Sequence, residues 1–169
     1  MENMERIIQK HNVKLLNKDK PKPEDRCNCR AINKDKCPLP GKCCTKAIVY
    51  QGTLKHGNRK VEYVGMTSTQ FKSRYNNHTK SFRNDRYKDN TALSQYIWNN
   101  NLNPTPDIKW KILKRCNTYC AGHTFCQLCT LEKTTILQNL KNPRNINKRT
   151  DIGNKCIHQR SCTLSKYPT

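Results

Sequence analysis

Two tyrosines, an arginine, a histidine and a glutamate stand where an acid–base or metal-assisted reaction could use them, and eleven cysteines stand where a metal could be held. Arg74 and His78 are one helical turn apart, so they project from one side of a helix. The fixed fork of donors on arginine suits a phosphate. Tyr50 and Tyr63 each sit in a short β-rich run, and a tyrosine, with a pKa of about 10, is a poor base unless neighbours assist it. His78 is the other candidate base; its plain alternative is a stacking residue in an aromatic stripe. Glu132 borders the apolar stripe of Leu128, Leu131 and Ile136, where a carboxylate is costly unless it is paired or holds a cation. Its plain alternative is a surface ion pair with Lys133 or Arg115.

The cysteines come in two groups. Cys27, Cys29, Cys37 and Cys43 fall within seventeen residues, close enough in sequence to meet one tetrahedral Zn²⁺, with Cys44 able to replace Cys43. Little apolar sequence lies nearby to order that segment in another way. Cys126-x-x-Cys129 is a zinc half-site whose complement is open on spacing alone: Cys116, Cys120 and His123 lie upstream, Cys156, His158 and Cys162 downstream. An odd number of cysteines fits poorly with a closed set of disulfides. The N-terminal stretch carries acids and no apolar core of a signal peptide, so the expected compartment is intracellular and reducing. No apolar run approaches membrane-spanning length, and no membrane partner is expected.

These residues must be positioned by a small set of elements. Ile48-Val49-Tyr50 and Val61-Glu62-Tyr63-Val64-Gly65 are β-rich runs separated by the turn-forming Lys55-His56-Gly57-Asn58, which predicts a hairpin with a tyrosine on each strand. Thr67 and Gln70 have the spacing of a capping box and predict a helix start. Phe71, Tyr75, His78 and Phe82 then give that helix an aromatic stripe. Thr91 to Trp98 predicts a second helix. Ile108, Trp110 and Ile112 alternate with Lys109 and Lys111 as a third strand, and Leu128 to Leu140 reads as a further helix. Met4, Ile7, Ile8, His11 and Leu15 predict a short amphipathic helix before a polar linker. The fold class expected is α/β (α+β): a small three-stranded antiparallel sheet flanked by helices, with zinc-stabilised extensions. The chain divides into 1–26 (helix and linker), 27–46 (cysteine-rich zinc segment), 47–150 (the domain carrying the candidate site) and 151–169 (tail).

The net charge of +21 is unevenly spread, with +2 in residues 1–26 and +19 in the rest. So lopsided a charge repels itself in a compact fold and points to a polyanionic partner, nucleic acid before all others.

The motifs Ile48-Val49-Tyr50, Tyr63-Val64-Gly65, FKSRYNNH (71–78) and LSQYIW (93–98), spread over about Ala47 to Asn147, resemble the GIY-YIG nuclease domain. Ile48 stands where the first motif usually has glycine, a replacement that suits a buried strand. A wider resemblance, carried by MENMERIIQKHNVKLLNK (1–18), Cys27-Asn28-Cys29-Arg30, CPLPGKC (37–43) and CQLCTLEK (126–133), is to the C-terminal endonuclease region of Penelope-like retroelements. The resemblance implies a GIY-YIG-like sheet and a site of Tyr50, Tyr63, Arg74, His78, Glu132 and Asn147. In it Glu132 holds one Mg²⁺ or Mn²⁺, Arg74 neutralises charge on the reacting phosphate, and Tyr50 orients or deprotonates the attacking water. It also selects Cys126, Cys129, Cys156 and His158 as a second Zn²⁺ site. The activity implied is nicking of DNA to leave a 5′-phosphate and a 3′-hydroxyl that primes reverse transcription. The partners implied are DNA, retroelement RNA and a reverse transcriptase domain, in the nucleus. The competing class is a non-enzymatic, zinc-stabilised nucleic-acid-binding module, which shares the charge and the cysteines but has no need of the tyrosine, arginine, glutamate and asparagine set.

Overall fold

The computed structural model describes residues 27–29, 37–102, 107–117, 125–153, 155–156 and 158. The expected N-terminal helix, Cys120, His123 and Cys162 lie outside them.

Strands β1 (Ile48–His56), β2 (Arg59–Thr67) and β3 (Ile108–Arg115) form one antiparallel sheet in the order β2-β1-β3. The two-residue turn Gly57-Asn58 joins the first pair, and Gly57 takes φ +54°, the left-handed value its first central position requires. Alternation along the strands sorts side chains to two faces. On one face Tyr50, Tyr63 and Trp110 are packed with helix α1 (Phe71–Arg83), helix α2 (Ala92–Asn99) and the Cys37–Cys44 loop. On the other, Val49 and Val64 are packed with helix α3 (Gln127–Asn139). The result is an α+β fold with helices on both sides of a three-stranded sheet, and the cysteine-rich segment enters the main core directly.

Room for the tyrosines is made by small neighbours. Gly52 lies between Tyr63 and Trp110 on the adjacent strands, and Gly65 lies opposite Tyr50. A Cβ on Gly65 would stand 2.8 Å from the Tyr50 hydroxyl oxygen and 3.0 Å from the Tyr63 ring. Both rings are core, so neither retreats without moving α1. Gly65→Ala is therefore expected to lower stability by about 1–3 kcal/mol, the usual cost of overpacking, readable as a lower thermal midpoint.

The start of α1 differs from expectation. Thr67 ends β2, and Gln70 occupies the N-cap without a side-chain cap bond. The first helical N–H groups are satisfied from a distance: Phe71 N–H donates to the Thr45 carbonyl (3.0 Å) and Lys72 N–H to the Cys43 carbonyl (2.7 Å). A true capping box occurs at Thr91 and Ser94, opening α2.

The outer edge of β2 is closed residue by residue. Glu62 exchanges backbone bonds with Arg144 and Ile146 (2.7 and 3.0 Å). Val64 is bonded on both its N–H and C=O by the side-chain amide of Asn147 (2.8 and 2.9 Å). Next along the strand, the carboxylate of Glu132 on α3 lies near the Met66 backbone N–H, which favours its ionised form.

Candidate active site and metal centres

The edge of β2 is where the two helical layers meet, and a cleft of about 210 Å³ opens there. Its lining includes Tyr63 from β2, Arg74 from α1, Glu132 from α3, and Asn147 and Asp151 beyond it. Tyr50 and His78 lie behind that wall, both buried. The Arg74 Nε donates to the Tyr50 hydroxyl (3.1 Å), and that hydroxyl lies 2.8 Å from Nε2 of His78. The Tyr50 hydroxyl accepts from Arg74, and which of Tyr50 and His78 donates in their shared bond follows the imidazole tautomer. Tyr63 also lies close enough to Arg74 to interact with it, so two phenols flank one guanidinium.

Burial sets the protonation of this chain of groups. It pushes the Tyr50 phenol up to about 12, with Arg74 pulling the other way, and raises Tyr63 as well. It lowers His78 to about 3, with Arg74 adding repulsion. At neutral pH both tyrosines keep their protons and His78 is neutral. His78 also stacks on Phe82 and leans on Trp110, ring centroids 5.8 and 5.2 Å apart, so it is both a stacking residue and a hydrogen-bond partner. Glu132 is raised to about 7, chiefly by burial, while Arg74 holds it down.

Asn147 spends its amide on β2, and its role in the geometry is to fix Val64 beside the cleft. Glu62 turns away, pairing with Lys60 at 3.2 Å. Sequence reasoning missed Asp151 and Lys155, which line the cleft. Asp151 Oδ2 accepts from the Lys148 N–H (2.9 Å) at the start of the short helix α4 (Arg149–Gly153), and an acid in a first helical turn was the one available signal.

Both cysteine groups come together. Cys27, Cys29, Cys37 and Cys43 place their sulfurs within 4.8 Å of one another, as do the ligand atoms of Cys126, Cys129, Cys156 and His158. Cys44 and Cys116 stand outside both sets. Sulfur separations are 3.4–3.8 Å in the first set, and Cys129 and Cys156 are 3.4 Å apart in the second. Disulfide sulfurs sit at about 2.05 Å, whereas a zinc tetrahedron with bonds of about 2.3 Å has edges of about 3.8 Å. No disulfide forms among the described residues. His158 offers Nδ1 at 3.5 Å from Cys126 and 3.4 Å from Cys129. The Cys27 thiol is pulled down to about 7, first by the Cys29 backbone N–H, while burial pushes Cys43 and Cys129 upward. Four thiols cannot all ionise so close together without a cation between them, and both sets could hold zinc.

No family model matches the chain, and neither the curated proteins nor the solved structures include a match. Fold and sites define a basic α+β domain with two cysteine-rich clusters able to hold zinc.

Proposed function

We propose that the chain is a GIY-YIG-type, metal-dependent DNA endonuclease that nicks one strand by hydrolysis, of retroelement origin and used to prime reverse transcription at the nick. The observation that carries this reading is the convergence of Tyr63, Arg74 and Glu132 on one cleft, with Tyr50 and His78 bracing the arginine from behind. A binding module has no use for a half-buried carboxylate beside a half-buried guanidinium in an open cleft.

Glu132 suits a hard divalent cation: its carboxylate lines, with Asp151 nearby, a cleft with room for water and phosphate oxygens. A Mg²⁺ or Mn²⁺ ion bound there supplies Lewis-acid polarisation of the phosphate and stabilises the departing 3′-oxygen. Arg74 neutralises the charge that gathers on phosphorus, with its Nε already held by the Tyr50 hydroxyl. Tyr63, on the cleft wall, orients the attacking water. Tyr50 acts one step behind, since its raised pKa and burial keep its proton on oxygen and its hydroxyl on Arg74. The oxygen–phosphorus bond to water forms as the bond to O3′ breaks, giving a 5′-phosphate and a 3′-hydroxyl. DNA is the substrate, and retroelement RNA and a reverse transcriptase domain are the further partners this role requires.

The test is nicking of supercoiled plasmid with and without Mg²⁺. Arg74→Ala is expected to slow metal-dependent nicking by about 10²–10³-fold, the cost of removing one donor to a developing charge, with duplex binding nearly unchanged. Equal losses in binding and nicking, or no nicking by the intact chain, would support a plain nucleic-acid-binding module instead.

A further inference from the structure

The β1–β2 hairpin outruns the rest of the sheet. Pairing of β1 with β3 ends at Leu54, whereas pairing with β2 continues through Lys55↔Lys60 to His56↔Arg59. Residues 55–60 are all exposed. Lys55 thus faces Lys60 across a projecting tip that also carries Arg59. Like charges directly opposite one another destabilise a strand pair, so this tip is costly in isolation and is relieved by an anion. Below it, Lys109 faces Thr53 and Lys111 faces Gln51, both lysines exposed. Period-2 alternation puts Lys55, Lys60, Lys109 and Lys111 on one face of the sheet, the face that α3 covers only at its Val49 and Val64 end. On that face Glu62 is the only acid among the strand residues, and it already pairs with Lys60.

From this register we infer that the projecting hairpin is a duplex-DNA-binding finger that holds the DNA flanking the cleft. A two-stranded β-ribbon fits the major groove, and its cations neutralise the phosphates beside it. Six residues separate Met66 at the cleft from Lys60 at the tip, roughly 20 Å at about 3.4 Å per residue. That span covers about six base pairs, all on one side of the reacting phosphate. The direction in which the duplex leaves the cleft rests on the cleavage reading, but binding of duplex by the tip does not.

The experiment is anisotropy titration of a labelled duplex of about 30 base pairs, and of one of its single strands, over a range of salt with no divalent cation added. The triple variant Lys55→Ala/Arg59→Ala/Lys60→Ala should lower the log–log salt slope by roughly 0.9 per lost phosphate contact. At about 0.15 M salt it should lose on the order of 100-fold in duplex affinity. The single strand should lose less. The charge-keeping Lys55→Arg/Lys60→Arg should retain wild-type affinity, and a thermal midpoint no lower than wild type in the triple variant would exclude a folding cause. An unchanged slope and affinity would overturn the proposal, as would a larger loss on the single strand. Loss of duplex binding in a chain that never nicks would sustain the finger while ending the cleavage reading.

Discussion

Stripping zinc with a strong chelator is expected to unfold the protein, whereas withholding Mg²⁺ should leave the fold intact and stop only nicking. Small structural zinc sites supply on the order of 10 kcal/mol of apparent folding free energy, as much as a domain of this size has in total. Here the core is modest, with only 34% of residues in the apolar and cysteine set. The first cluster packs within the aromatic core and the second against Val49 and Val64 on the far face, so each face of the sheet loses a support. Circular dichroism before and after chelation reads the outcome. Elemental analysis should find close to two zinc per chain, and Cys129→Ser should lower that by about one, because a site with one thiolate removed binds far less tightly. A chelated protein that keeps its spectrum and melting point would refute the structural role of both clusters.

Glu132→Gln is expected to exchange activity for stability. The amide keeps the shape of the side chain but cannot hold a hard cation, so metal-dependent nicking should fall by about 10³-fold or more, the several kcal/mol that a bound cation contributes. The stability change has a defined sign. Burial raises the carboxyl from 4.5 to about 7 in the folded chain, so between those values the folded state holds a proton the unfolded state has released. Wild-type stability from this group therefore falls as pH rises through that window, and the penalty is complete above about pH 7. The variant lacks the penalty. Without added Mg²⁺ its stability advantage should grow from pH 4.5 to about 7, to at most about 3 kcal/mol, as followed by urea melts at each pH. A difference that stays flat with pH would mean that Glu132 is a solvated surface carboxylate, and its assignment as the cation ligand would lose its basis.

The sheet was legible because its signals are local. Alternation at Ile108, Trp110 and Ile112 and turn residues at Gly57-Asn58 need no distant partner to be read, and the register follows them. The start of α1 was not legible, because the capping rule looks for a side chain nearby and the chain uses carbonyls of Thr45 and Cys43, more than twenty residues upstream. Asn147 was noticed, yet that its amide stands in for a missing strand against Val64, 83 residues away, is a fact of tertiary packing alone. Spacing left the partners of Cys126 and Cys129 open among several residues. The retroelement resemblance selected Cys156 and His158, and the folded chain brings these two within bonding range of one ion. Tyr50 illustrates a further limit: its place on a strand was readable, but whether its hydroxyl faces the cleft or stands behind Arg74 depends on how α1 crosses the sheet.

The carbonyl of Cys43, a member of the first cluster, receives the first turn of α1, the helix that carries Arg74 and His78. Cys129, a member of the second, stands one turn before Glu132 on α3. The two halves of the proposed site therefore rest on different cysteine clusters, and would depend on different zinc ions when both clusters are filled. A molecule with the first cluster alone filled has its arginine aimed and its carboxylate adrift, and a molecule with the second alone filled has the reverse. Competence to cut then scales as the product of the two occupancies, so a preparation half loaded at each cluster would contain about one competent molecule in four if loading is independent.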